Sequence, residues 1–216
     1  MAFIWRYSMR SEVIKAIIWD MGGVLIEEKL TADDTQIPQI GMSIAELAQM
    51  VFYHPLTPKL FVGEEHPEKL WKVIGDELNI SNDEAQKLGV DFWGEPIWNY
   101  DLLDYITSLK GKYKLGVLSD AWITTRKIVQ EEIHDDLFDA IMFSAKEGLR
   151  KPDPKIFQRM LSRLEVTAEE AIFVDDRINN VQGAEQVSIH GIHYTPEIDI
   201  QERINQITSN AKRQVL

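Results

Sequence analysis

The 216-residue chain contains no cysteine, so a disulfide framework, a thiolate nucleophile and a thiolate metal site are all excluded. No apolar run approaches the roughly 18–20 residues that a membrane-spanning helix needs. The opening MAFIWRYSMRSEVIK is interrupted by Arg6, Arg10, Glu12 and Lys15, which removes the continuous apolar stretch of a secretory signal. A cytoplasmic protein is therefore expected. Positive charge is also scarce: 23 Lys and Arg against 35 Asp and Glu leave a formal net charge of −12. Such a chain has no general attraction for nucleic acid or an anionic membrane surface, and neither is expected as a partner. A phosphorylated small molecule stays open, because one lysine and one bound cation suffice to make a local positive pocket.

What is present argues for a folded globular core. With 44% hydrophobic and 27% charged residues, wholesale disorder is excluded. Five apolar runs end at small or acidic residues: VIKAIIWD (13–20), KLGVLSD (114–120), AIMFSA (140–145), AIFVDD (171–176) and SIHGIHYT (188–195). Near-continuous apolar runs of this length predict strands buried on both faces, as in a parallel sheet covered by helices. Helical spacing lies between them. Leu102, Leu103, Ile106 and Leu109 share a stripe that stops at Gly111. Asp153 and Pro154 read as N-cap and first helical residue ahead of Ile156, Phe157, Met160, Leu161 and Leu164. The alternation predicts an α/β fold, a doubly wound parallel sheet with right-handed crossovers.

Residues 29–96 break that alternation. No good strand is predicted there, and helix signals dominate. Ser43 with Glu46 and Ser81 with Glu84 have capping-box spacing, and Leu70, Val73, Ile74 and Leu78 form an apolar stripe. The expected organisation is an α/β core of residues 1–28 and 97–216, with a helical cap at 29–96 inserted after the first strand.

In open α/β sheets the ligand lies beyond the carboxyl ends of the strands. Those ends read Asp20-Met21-Gly22-Gly23, Ser119-Asp120, Ser144 through Lys151-Pro152-Asp153, and Asp175-Asp176. Converging carboxylates without cysteine or a close histidine pair suit a hard cation, with Mg²⁺ favoured over zinc. A lysine beside such a cation binds phosphoryl oxygens. The combination points to metal-assisted phosphoryl transfer, with one carboxylate free to act as nucleophile. His190 and His193, three residues apart on one strand, fall on opposite faces and read as structural or surface residues. Trp71, Phe92, Trp93 and Trp98 read as packing residues, whereas Trp122 follows the Ser119 strand end and is placed where it could border the pocket.

The segments IIWDMGGVL (17–25), LGVLSD (115–120), GLRKPDPKIF (148–157) and VDDRINNVQGA (174–184), in this order, resemble the haloacid dehalogenase superfamily and its phosphatase-like members. The helical insertion falls where that family carries its small cap. The resemblance implies a Rossmann-like core and hydrolysis of a small phosphorylated metabolite, with a sugar phosphate as one candidate, through an aspartyl-phosphate. Asp20 is implied as nucleophile and Mg²⁺ ligand, and Lys151 as the group that neutralises the phosphate and orients Asp20. Ser119, Asp120 and Asn180 are implied on the phosphate side, with Asn180 also able to reach metal-bound water or Lys151. Asp175 and Asp176, with the Gly22 carbonyl, are implied to complete the metal site.

Three positions depart from the family's pattern. An acid/base aspartate usually stands two residues after the nucleophile, where this chain has Gly22, as in a branch of the superfamily that includes glucose-1-phosphate phosphatases. Glu27, Glu28 and Asp120 are the candidates for activating water instead. Asp120 stands where the family often has asparagine, and Ser188 where it often has glycine. The missing acid/base also motivates an alternative: a slow or inactive phosphate-binding regulatory protein.

Overall fold

The structure, a computed structural model, describes residues 13–27 and 33–213. After β1 (Ala16–Trp19) the chain passes through the hairpin β2 (Gln36–Ile37) and β3 (Met42–Ser43). Four helices follow: α1 (Ile44–Tyr53), α2 (Thr57–Phe61), α3 (Pro67–Leu78) and α4 (Asn82–Phe92). It returns through α5 (Tyr100–Leu109) to β4 (Lys114–Ser119), α6 (Thr125–Ile128), β5 (Ala140–Phe143), α7 (Ser144–Glu147) and α8 (Pro154–Leu164). The last elements are β6 (Ala171–Asp175), α9 (Ile178–Glu185), β7 (His190–His193) and α10 (Ile200–Arg213).

Five strands form one parallel sheet in the order β5-β4-β1-β6-β7. Ile17 of β1 is level with Leu115 on one side and Ile172 on the other. The chain winds outward from β1 to β4 and β5, then crosses back to β6 and β7. That reversal sets a topological switch point between β1 and β6, where the carboxyl ends of the strands open a crevice.

Strand periodicity divides the core between the two faces of the sheet. Ile17, Trp19, Leu115, Val117, Ile172 and Val174 join Leu102, Leu103 and Ile106 of α5 in one buried cluster. Ala16, Ile18, Leu118, Ala171 and Phe173 point the other way, onto Ile156, Phe157, Met160 and Leu164 of α8. Both faces are covered, which is why the strand sequences read as unbroken apolar runs rather than alternating ones. Asp153 caps α8 with its carboxylate accepting from the Lys155 amide at 2.9 Å, and Pro154 occupies the first turn.

The segment between β1 and α5 packs around its own buried cluster. Leu47, Ala48, Val51, Leu60, Leu70, Trp71, Ile74 and Phe92 meet there, joined by Trp122 from the loop after β4. Both expected capping boxes form, at Ser43 and at Ser81. The β2–β3 hairpin corrects the expectation of a strand-free segment: Gln36 pairs with Ser43 and Ile37 with Met42. Two-residue strands have no readable period, and the turn is closed by Gly41 at φ +64°. The outgoing and returning chains are clamped together, Glu27 N–H donating to Ile97 O at 3.0 Å and Asn99 N–H to Leu25 O at 2.9 Å.

Candidate active site

The four sequence segments meet at the carboxyl edge of the sheet. Asp20 follows β1 and is held there by its own amide, which donates to Val174 O at 2.8 Å. Its Oδ1 accepts from the Met21 amide at 2.7 Å. Ser119 ends β4 and Asp175 ends β6, both buried. Lys151, only 2% exposed, extends its ammonium between them. Nζ lies 2.7 Å from Asp20 Oδ1 and 2.7 Å from Asp175 Oδ2, and donates to Leu118 O at 3.0 Å. Three ammonium hydrogens thus have three oxygen acceptors, which meets the requirement that a buried charge be paired.

Burial alone would lower the pKa of Lys151, but Asp20, Asp175 and Asp120 outweigh it and hold the ammonium above its ordinary value. For Asp20, burial pushes the carboxyl well above the ordinary carboxylate range; Lys151 opposes this and the charge of Asp175 adds to it. Asp20, Asp175 and Asp176 each present an oxygen, and these atoms lie within 4.8 Å of one another. Three carboxylates against one ammonium leave excess negative charge, and an all-oxygen donor set suits a hard divalent cation. Gly23 makes that approach possible: at φ +71° a side chain is strained, and a Cβ would fall 2.5 Å from the Asp176 carboxyl carbon. Beside the cluster, a cavity of about 600 Å³ is lined by Arg150, Lys151, Asp176, Arg177, Asn180 and His193 among others.

Two residues implied on the phosphate side are engaged by protein groups. Asn180 donates its amide to both oxygens of Asp175, at 3.0 and 3.1 Å, rather than reaching Lys151. The turn into α9 brings it back over β6, and with the Arg177 amide at 2.8 Å it fixes the Asp175 carboxylate. Asp120 has both oxygens engaged, Oδ1 by the Lys151 backbone N–H at 3.0 Å and Oδ2 by Arg150 Nε at 3.3 Å. Its carboxylate braces the lysine loop. Trp122 is 2% exposed and packs on Trp93, ring centroids 5.0 Å apart. Glu27 is exposed, and Glu28 lies outside the described residues. His190 and His193 each donate to a backbone carbonyl, of Glu169 and Asp176 respectively. The contribution of Arg150 was missed, because only the fold brings it against Asp120.

Residues 14–188 match the haloacid dehalogenase-like hydrolase family, and the chain belongs to that family. It is 30% identical over 188 residues, 85% of this chain and 91% of the relative, to the sesquiterpene phosphatase astK of Aspergillus oryzae. It is 26% identical over 183 residues, 78% of this chain and 86% of the relative, to the D-ribitol-5-phosphate phosphatase of Bacteroides thetaiotaomicron. Among solved structures, a HAD family enzyme from Bacteroides thetaiotaomicron in complex with magnesium and inorganic phosphate shares the fold. Its TM-score is 0.67 at 19% identity, over 88% of this chain and 98% of that chain.

Proposed function

We propose that the protein is a Mg²⁺-dependent phosphatase that cleaves a small phosphorylated metabolite through an aspartyl-phosphate on Asp20. The observation that carries this reading is the Lys151 ammonium shared at 2.7 Å by Asp20 and Asp175, with Asp176 completing a three-carboxylate cluster. The relatives named as phosphatases support the same chemistry. The donor set fits Mg²⁺: Asp20, Asp176 and the Gly22 carbonyl would hold it with Asp175, whose oxygens are already oriented by Lys151 and Asn180. When bound, the ion supplies positive charge to the phosphoryl oxygens.

The chain's own groups do the rest. Lys151 and the Met21 amide anchor Oδ1 of Asp20, so the other carboxylate oxygen attacks phosphorus in line while the bond to the leaving oxygen breaks. Lys151, with Ser119 at the end of β4, takes up the phosphoryl charge. Water then attacks phosphorus, the bond to Asp20 breaks and inorganic phosphate leaves. The segment inserted between β1 and α5 serves as a cap that excludes bulk solvent and selects the leaving group. Gly22 offers no proton to that group, and a positioned general acid typically contributes about 10²–10⁴-fold in rate. The substrates favoured are therefore those whose leaving oxygen is weakly basic, such as an anomeric sugar phosphate or an aryl phosphate.

Phosphate release from p-nitrophenyl phosphate and a panel of sugar phosphates, with Mg²⁺ present, tests this reading. Wild type is expected to turn over and Asp20→Asn to fall to background. Equal rates in the two proteins overturn the role of Asp20. Gly22 also favours a second reading, a phosphate-binding regulatory protein. Mg²⁺-dependent binding of inorganic phosphate with no turnover across the panel selects it.

A further inference from the structure

We propose that Arg150 is a positioning residue that couples docking of the inserted helical segment to the placement of Lys151. The proposal rests on the phosphatase reading and concerns the same site. Arg150 stands next to Lys151 in the chain and makes two contacts in different directions. Its Nε lies 3.3 Å from Asp120 Oδ2. Its guanidinium carbon sits 4.9 Å from the centre of the Phe61 ring, at the end of α2. The other oxygen of Asp120 accepts the Lys151 backbone N–H at 3.0 Å. A continuous path therefore runs from Phe61 through Arg150 and Asp120 to the backbone that carries the catalytic ammonium.

Independent contacts hold both ends of this path. Phe61 meets Trp122 edge to face at 6.3 Å, and Trp122 lies two residues beyond Asp120. At Gly63, φ +69°, the turn after α2 lies so close to α7 that a Cβ would come within 2.1 Å of Ala145 O. Ser144 Oγ, at the start of α7, accepts the Ala121 amide at 2.9 Å and so fixes the loop on the far side of Asp120. Moving α2 away from the core removes the ring from Arg150 and loosens its pairing with Asp120.

Charge gives the arrangement its purpose. Asp120 adds a carboxylate near a site that already gathers Asp20, Asp175 and Asp176. Left uncompensated, it would repel an entering phosphate dianion. Arg150 neutralises it, and the planar guanidinium meets the ring and the carboxylate together, which an ammonium cannot reproduce.

The test measures kcat and KM for p-nitrophenyl phosphate with Mg²⁺, and affinity for inorganic phosphate with Mg²⁺ by calorimetry. The proteins are wild type, Arg150→Ala, Arg150→Lys, Phe61→Leu, Arg150→Ala/Phe61→Leu and Arg150→Ala/Asp120→Asn. Arg150→Ala is expected to lower kcat about 10- to 100-fold, within what a misplacement of about 1 Å costs, and to weaken phosphate binding. Arg150→Lys shows the same loss. Phe61→Leu lowers kcat in the same direction, and its combination with Arg150→Ala is no worse than Arg150→Ala alone. Asp120→Asn, which removes the uncompensated charge and keeps an acceptor for the Lys151 N–H, restores much of both quantities in the Arg150→Ala background. Wild-type values in Arg150→Ala, strictly additive losses, or no recovery with Asp120→Asn overturn the proposal. A wild type that binds phosphate without turnover rejects the enzyme reading and leaves the calorimetric comparison to decide this one. A wild type that does neither overturns both.

Discussion

At Ser188 the backbone adopts φ +70°, a left-handed conformation that costs a residue with a side chain about 1–2 kcal/mol. Its amide bonds Glu185 O at 2.9 Å and so closes the turn from α9 toward β7. The family resembled by the sequence often has glycine there, and the dihedral explains why. Ser188→Gly is expected to stabilise by roughly 0.5–1 kcal/mol once the greater flexibility of glycine in the unfolded chain is subtracted. In a domain of this size that corresponds to a rise of about 1–4 °C in Tm by calorimetry. Individual site residues were legible in the sequence when they ended an apolar run: Asp20, Ser119 and Asp175 stand at strand ends that the periodicity already marks. Lys151 stood out as the lysine in the stretch after the β5 run, and its role came only from the resemblance of GLRKPDPKIF. The partners of Asp120 and Asn180 were not, because residue type gives donor capacity but not direction. Which oxygen receives an Asn180 amide depends on how the turn before α9 folds back on β6.

Helix signals in the sequence were local and correspondingly legible. A capping box needs only residues three apart, and both boxes form between the side chains that the spacing indicated. Ser43, buried at the start of α1, accepts the Glu46 amide at 3.2 Å. Ser43→Ala is expected to cost about 1 kcal/mol, read as a lower midpoint in urea at unchanged slope. At Ser81 the consequence is a pH dependence. Hydrogen bonds from Ser81, side chain first and then backbone, hold the Glu84 carboxyl below its ordinary pKa. A depressed folded value means that this stabilisation is present above the unfolded glutamate pKa and is lost as pH falls through the folded one. The difference in Tm between Ser81→Ala and wild type is therefore expected to be smallest in acid, where only the hydroxyl cap on the Glu84 amide is lost, and to widen toward neutral pH. The β2–β3 hairpin and the burial of Trp122 were illegible for the opposite reason. One is too short to have a period, and the other depends on where a distant helical segment docks.

On the scale of the whole molecule, the doubly wound parallel sheet was legible from five apolar runs and intervening helices. Strand order and the docking of the inserted segment were not, since both are set by contacts far apart in sequence. The backbone clamp of Glu27 on Ile97 and Asn99 on Leu25 joins the two chains that connect sheet and insert. Native-state hydrogen exchange is expected to find the Glu27 and Asn99 amides protected well beyond neighbouring loop amides; rapid exchange at both would refute a rigid connection. The largest molecular consequence comes from one nitrogen. Leu118, Asp20 and Asp175 belong to the ends of β4, β1 and β6, which are adjacent in the sheet. Lys151 therefore sews three neighbouring strands at their reactive margin, and removing it strands two buried anions side by side, a defect of about 3–5 kcal/mol when a buried pair is broken. On the proposed reading phosphate binding and cohesion are vested in the same atom, so a chain that loses this amine is expected to forfeit its turnover and much of its architecture together.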